Sequence, residues 1–152
     1  KRNLRSIVLP QTQKIKYDNQ KGVQMSIYES GEDYLLAILV IKERKGLCHS
    51  IDVAEETGYS KASVSIAMKK LRENGYIQMN QDGTLELLET GLTIAKKIHE
   101  RNTVLTDYFK QLGVDPDIAY HDAHKIEHDL SDQTFSKIKE EYLKIKNKRG
   151  KS

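Results

Sequence analysis

Cysteine occurs once in the 152 residues, at Cys48. A lone thiol forms no intrachain disulfide, which excludes a disulfide-stapled fold and agrees with a reducing compartment. Long apolar runs are missing as well. The longest uncharged apolar stretch, Tyr34 to Ile41, falls well short of the roughly 20 residues that cross a bilayer. The first 24 residues mix Lys and Arg with Gln, Asn and Asp and lack the apolar centre of a secretory signal. Together these absences point to a cytoplasmic protein with no membrane partner. The length suits one compact domain or two small ones sharing a helix, and excludes a large multidomain enzyme.

Charge is present in both signs but unevenly placed. Residues 1–24 carry a net +5, residues 25–91 a net −4 and residues 92–152 a net +2. A cationic tail attracts any polyanion through counterion release, and a solvated arm has the same composition. Residues 1–24 show no sustained periodicity beyond a short strand candidate at Ser6 to Leu9. They read as a basic N-terminal tail outside the fold, and Met25 reads as a natural start.

Periodicity begins after that point. Leu35, Leu36, Ile38, Leu39 and Ile41 form a broad apolar stripe over Glu32 to Lys45, a buried first helix ending at Gly46. Ile51, Val53 and Ala54 lead to Gly58 as a two-turn second helix. Ser60 is a good N-cap for a third, with Val64, Ala67, Met68 and Leu71 spaced to face a core until Asn74-Gly75. Tyr76 to Asn80 and Thr84 to Leu88 are short strands joined through Gln81-Asp82-Gly83, a loop that suits a hairpin. Helix, short helix, turn, helix, hairpin is the order of a winged helix-turn-helix. A long fourth helix follows from about Leu92 to Leu112, with Leu105, Tyr108 and Phe109 among its apolar positions. Asp115-Pro116 opens a fifth helix over Asp117 to Leu130, and Ser131 caps a sixth. The fold class is mainly α: a winged head over 25–91, an all-α module for dimerisation or sensing over 92–146, and a basic tail over 147–152.

In a winged head the third helix enters the DNA major groove. Ser60, Lys61, Ala62, Ser63 and Ser65 then face base edges, while Lys69, Lys70 and Arg72 sit where phosphates pass. No Arg or Gln stands among the base-facing residues, so sequence preference is expected to be modest. The competing reading of this segment is a solvated amphipathic helix in a bundle.

Near the end of the fifth helix, His121, His124 and His128 fall at i, i+3 and i+7, with Glu127 three residues after His124. On a helix this spacing lines four donors along one face, and imidazole with carboxylate suits Zn, Fe, Co, Ni or Mn. One helix rarely supplies a whole coordination sphere, and Asp33 is the best remote candidate. His124 to His128 is also an H-x-x-E-H string, the zinc motif of the inverzincin peptidases, on a chain with little room for a substrate cleft.

Ser30-Gly31-Glu32-Asp33-Tyr34-Leu35, Asn74-Gly75-Tyr76-Ile77, Leu88-Glu89-Thr90-Gly91, Leu112-Gly113-Val114-Asp115 and Ile126-Glu127-His128-Asp129-Leu130-Ser131 together resemble the metal-dependent bacterial repressors, the family of the diphtheria toxin repressor and the manganese transport regulator. The resemblance runs from Tyr28 to about Ile138. It implies a homodimer formed through the fourth and fifth helices, to which Leu105, Tyr108 and Phe109 are assigned. It also implies double-stranded DNA with a palindromic operator as partner, and repression of metal-homeostasis genes when a divalent iron, manganese, zinc or cobalt ion is bound. Within the resemblance Asp33, Glu127 and His128 match ligand positions, and His124 stands where manganese regulators have Glu and iron regulators Cys. Leu36 replaces a first-helix glutamate, and Asn102 replaces a histidine after Arg101. The implied ligands are Asp33, His124, Glu127 and His128, with His121 and Asn102 as auxiliaries. The alternatives are a metal-independent winged-helix regulator that has lost its sensor, motivated by Leu36 and Asn102, and a zinc peptidase built on His124, Glu127 and His128.

Overall fold

The computed structural model describes residues 29–151. The N-terminal tail, the strand candidate at Ser6 to Leu9 and the start at Met25 lie outside the described residues. The elements run α1 (Glu29–Lys45), α2 (Ser50–Thr57), α3 (Lys61–Glu73), β1 (Ile77–Met79), β2 (Leu85–Leu87), α4 (Glu89–Gln111), α5 (Pro116–Ile126) and α6 (Asp132–Arg149). The fold is mainly helical with one small antiparallel sheet, and it divides into two compact units between Lys96 and Lys97.

In the first unit α1 is enclosed on most sides, with Leu35, Ile38 and Ile41 fully buried and Tyr34, Ala37 and Leu39 nearly so. A helix apolar on so many sides forms the centre of a core rather than an edge. Around it pack Val53 and Ala54 of α2, Val64, Met68 and Leu71 of α3, Ile77 of β1 and Leu85 of β2. The α2 to α3 turn depends on Gly58, which adopts a left-handed φ of 73° and donates its N–H to Ala54 O at 2.9 Å. That conformation is costly for residues with a Cβ. The hairpin pairs Ile77 with Leu87 and Met79 with Leu85, so both strands are shorter than the sequence suggested. Asp82 accepts from Thr84 N at 3.0 Å and Thr84 Oγ1 at 2.7 Å to shape the turn. Leu85 N donates to Cys48 O at 2.7 Å, and Lys42 pairs with Glu86, so the wing is tied to α1 and the link after it. Cys48 is fully buried, and burial, followed by the charge of Asp52, pushes its thiol pKa up to about 12.

α4 begins at Glu89, one turn before the expected Leu92. Gly91 permits this start: a Cβ there would lie 2.2 Å from Tyr76 O, so the helix approaches the end of the hairpin as only glycine can. Leu88 N donates to the same carbonyl at 3.0 Å, and Thr90 Oγ1 donates to Gly75 O at 2.9 Å.

The second unit has its own core of Val104, Leu105, Ala123, Phe135 and Tyr142, with Phe109, Ile126 and Leu130 packed against it. Asp115 caps α5 by accepting from Asp117 N and Ile118 N, with Pro116 in the first turn. Ser131 caps α6 through Thr134 N. α6 runs on to Arg149, so residues 147–149 are helical. No helix among the described residues is long and apolar enough to cross a membrane.

Candidate metal centre and nucleic-acid interface

The sequence places His128 on the fifth helix, but α5 ends at Ile126 and residues 127–129 form a turn. The cause lies 26 residues upstream. Arg101, buried within α4, donates Nη1 to Glu127 O at 2.8 Å and to Leu130 O at 2.7 Å, and Nη2 to Asp132 Oδ1 at 2.5 Å. Its guanidinium also lies 5.0 Å from the centroid of Phe135. A planar fork of donors suits several acceptors at once. Here it draws together the carbonyls after α5 and the first residue of α6.

The turn brings three donors to one place. Glu127 Oε1 lies 3.3 Å from His124 Nδ1 and 3.4 Å from His128 Nε2. The Glu127 side chain is 1% exposed and the two imidazoles 9% and 10%. Neither Glu127 oxygen makes a hydrogen bond. A buried carboxylate left in that state is costly without a cation. Donors about 2.1 Å from a common ion stand roughly 3.0–3.4 Å apart, which matches both separations. By chemistry and spacing these three side chains fit a divalent metal. His121 does not join them, because it is exposed where His124 is buried; the four-donor helical face is therefore corrected to a three-donor cluster at a helix end. Asn102 is buried at 9% exposure with its amide nitrogen unbonded.

Asp33 belongs to the first unit, on α1, and is also buried. Its charge adds to burial in raising the Tyr34 hydroxyl pKa. Leu36, one turn along α1, is enclosed at 8% exposure.

On α3, Ser60 Oγ accepts from Ser63 N at 3.1 Å, and the two hydroxyls share a bond of 2.9 Å. Lys61, Ala62, Ser63, Ser65, Lys69 and Lys70 are all exposed, while Val64, Met68 and Leu71 face the core. Arg72 instead turns towards the wing, with Nη1 3.8 Å from Met79 Sδ. Among the residues assigned to a dimer face, Leu105 is corrected: with no exposure it belongs to the core of its own unit. Tyr108 and Phe109 are half-buried. Sequence reasoning missed Arg101 as the residue that shapes the turn, and it missed Ile66, Leu112 and Ile118, each more than half exposed. For Arg101 no local pattern carried the signal. For Ile66 the signal was an apolar residue on the polar face of α3.

Comparison with known proteins agrees with this geometry. Residues 26–85 match the family model for the iron dependent repressor N-terminal DNA binding domain, and residues 88–148 match that for its metal binding and dimerisation domain. The HTH-type transcriptional regulator MntR of Listeria monocytogenes serotype 4a (strain HCC23) is 33% identical over 109 residues, which is 72% of this chain and 77% of that protein. The protein of that name from Shouchella clausii (strain KSM-K16) is 33% identical, covering 72% and 76%. A solved manganese-dependent transcriptional repressor in complex with manganese superposes with a TM-score of 0.67 at 25% identity, covering 74% of this chain and 52% of that one. This chain thus spans about half the length of that solved structure. These relatives are regulators and not enzymes, which overturns the peptidase alternative. The geometry agrees, since Glu127 is enclosed between imidazoles on a turn rather than open to a substrate. The chain belongs to the iron-dependent repressor family of metal-controlled, DNA-binding transcriptional regulators.

Proposed function

We propose that this chain is a cytoplasmic, homodimeric repressor whose affinity for a palindromic operator is set by one divalent transition metal per subunit. The observation that carries this reading is the buried cluster of His124, Glu127 and His128, whose carboxylate lacks any hydrogen bond. His124, Glu127 and His128 hold the ion, Asp33 supplies a further carboxylate, and Asn102 serves as an auxiliary. The bound ion supplies positive charge that neutralises the carboxylates. Two imidazoles make the set better suited to zinc, iron or cobalt than to manganese. In this proposal residues 25–91 read DNA through Ser60, Lys61, Ala62, Ser63, Ser65, Lys69 and Lys70, and residues 92–146 dimerise. The dimer face centres on Tyr108, Phe109 and the exposed Leu112 and Ile118, beside a surface hollow lined by Val114, Asp122, Lys125 and Ile126. Metal binding then selects the DNA-competent population.

Titrating chelator-treated protein with Mn, Fe, Co and Zn at fixed salt, while following affinity for promoter DNA, tests this reading. One metal is expected to bind at about one per subunit and to tighten DNA binding tenfold or more, about 1.4 kcal/mol of coupling. His128→Ala should abolish the response. The second reading, a metal-independent regulator, is favoured by Leu36, whose enclosed alkyl side chain stands where the family has a donor. It gains if DNA affinity is the same with chelator and with every metal.

A further inference from the structure

Ile66 is 59% exposed in the middle of α3. Single exposed aliphatics are ordinary on protein surfaces, but this one stands on the face that the proposed function turns towards DNA. Its neighbours on that face are Ala62, four residues earlier, and Lys69 and Lys70, three and four residues later, all exposed. Residues spaced three and four apart share one side of a helix. The exposed side of α3 is therefore graded along its length, with small and aliphatic groups in its first two turns and cations in the next. The polar groups of this face are partly engaged already. The Ser63 hydroxyl is bonded to that of Ser60 at 2.9 Å, and Lys69 lies 3.9 Å from Glu73. No exposed side chain of α3 offers the bidentate fork that reads guanine or adenine. The one large base-sized group it presents is apolar, and the apolar group in the major groove is the C5-methyl of thymine.

We propose that Ile66, with Ala62 beside it, is a specificity-determining residue that selects thymine in each half-site by contact with its C5-methyl group. The proposal rests on the DNA-binding reading above and adds the chemical basis of its sequence choice: methyl recognition in place of hydrogen-bond readout. Lys69 and Lys70 position the helix on phosphates and carry no base preference.

The test starts from a pool of random-sequence duplex DNA, from which the wild-type full chain, loaded with the metal that binds it, selects its tightest duplex. Each thymine of that duplex is then replaced singly by deoxyuridine, which removes the methyl and leaves every base-pairing group. At one thymine per half-site, the substitution is expected to weaken wild-type binding about fourfold, the equivalent of one buried methyl group. The same substitution should leave Ile66→Ala unaffected, because the two changes remove one shared contact. Ile66→Ala should also keep the wild-type slope of affinity against salt, which counts phosphate contacts. A deoxyuridine scan that is flat for the wild type, or equally steep in Ile66→Ala, overturns the assignment while leaving DNA binding intact. A pool that yields no bound duplex with or without metal overturns the DNA-binding reading itself, and the assignment with it.

Discussion

Arg101 shapes the turn that holds two of the three clustered donors without being one of them. Replacing it with Met keeps an unbranched apolar stem in the space but removes the donors to Glu127 O, Leu130 O and Asp132. The expected result is a folded protein whose affinity for zinc or cobalt, measured by calorimetric titration, falls more than tenfold. Arg101→Lys should recover part of the loss, since an ammonium can serve some of the acceptors but not as a planar fork. Wild-type affinity in a folded Arg101→Met protein would mean that the turn holds itself. The donors His124, Glu127 and His128 were legible in the sequence, because ligand chemistry is written in residue type. Their arrangement was not. Residue spacing suggested a continuous helical face, and the bonds that end the helix come from a residue 26 positions away. Leu105 and Ile66 illustrate the same limit: periodicity marks an apolar side chain, but not whether its own chain or something else covers it.

At the scale of elements, the order of helices and strands was readable because its punctuation is local. Ser60 and Ser131 accept from the backbone N–H groups of Ser63 and Thr134, and Asp115-Pro116 opens α5 by the same kind of capping. Boundaries failed where an element's start depends on contact with another element. Gly91 reads as a separator in sequence, yet it lies inside α4 because the Tyr76 carbonyl leaves no room for a side chain. Gly91→Ala should therefore destabilise the protein despite the higher helix propensity of alanine. The obstacle is backbone, so the cost should be about 1–3 kcal/mol, as for other overpacked sites. Chemical denaturation would measure it, and an unchanged midpoint would show that α4 can shift away from the hairpin at no cost.

At the scale of the whole chain, the division into a DNA-binding head and a helical module was expected from the change of pattern after the hairpin. Each unit encloses its own apolar cluster, one around α1 and the other around Leu105, Ala123 and Phe135. Two cores of this kind need not melt together. Scanning calorimetry of the metal-free protein should give a van't Hoff enthalpy below the calorimetric one, and equality of the two would indicate a single cooperative block.

The only sulfur nucleophile in the chain sits inside one of those cores, its carbonyl bonded to the wing and its proton held to about 12. A disulfide reagent supplied at pH 8 meets no usable thiolate while the wing stays paired with the segment before α2, so the pace of labelling becomes a stopwatch for opening of the reading head alone.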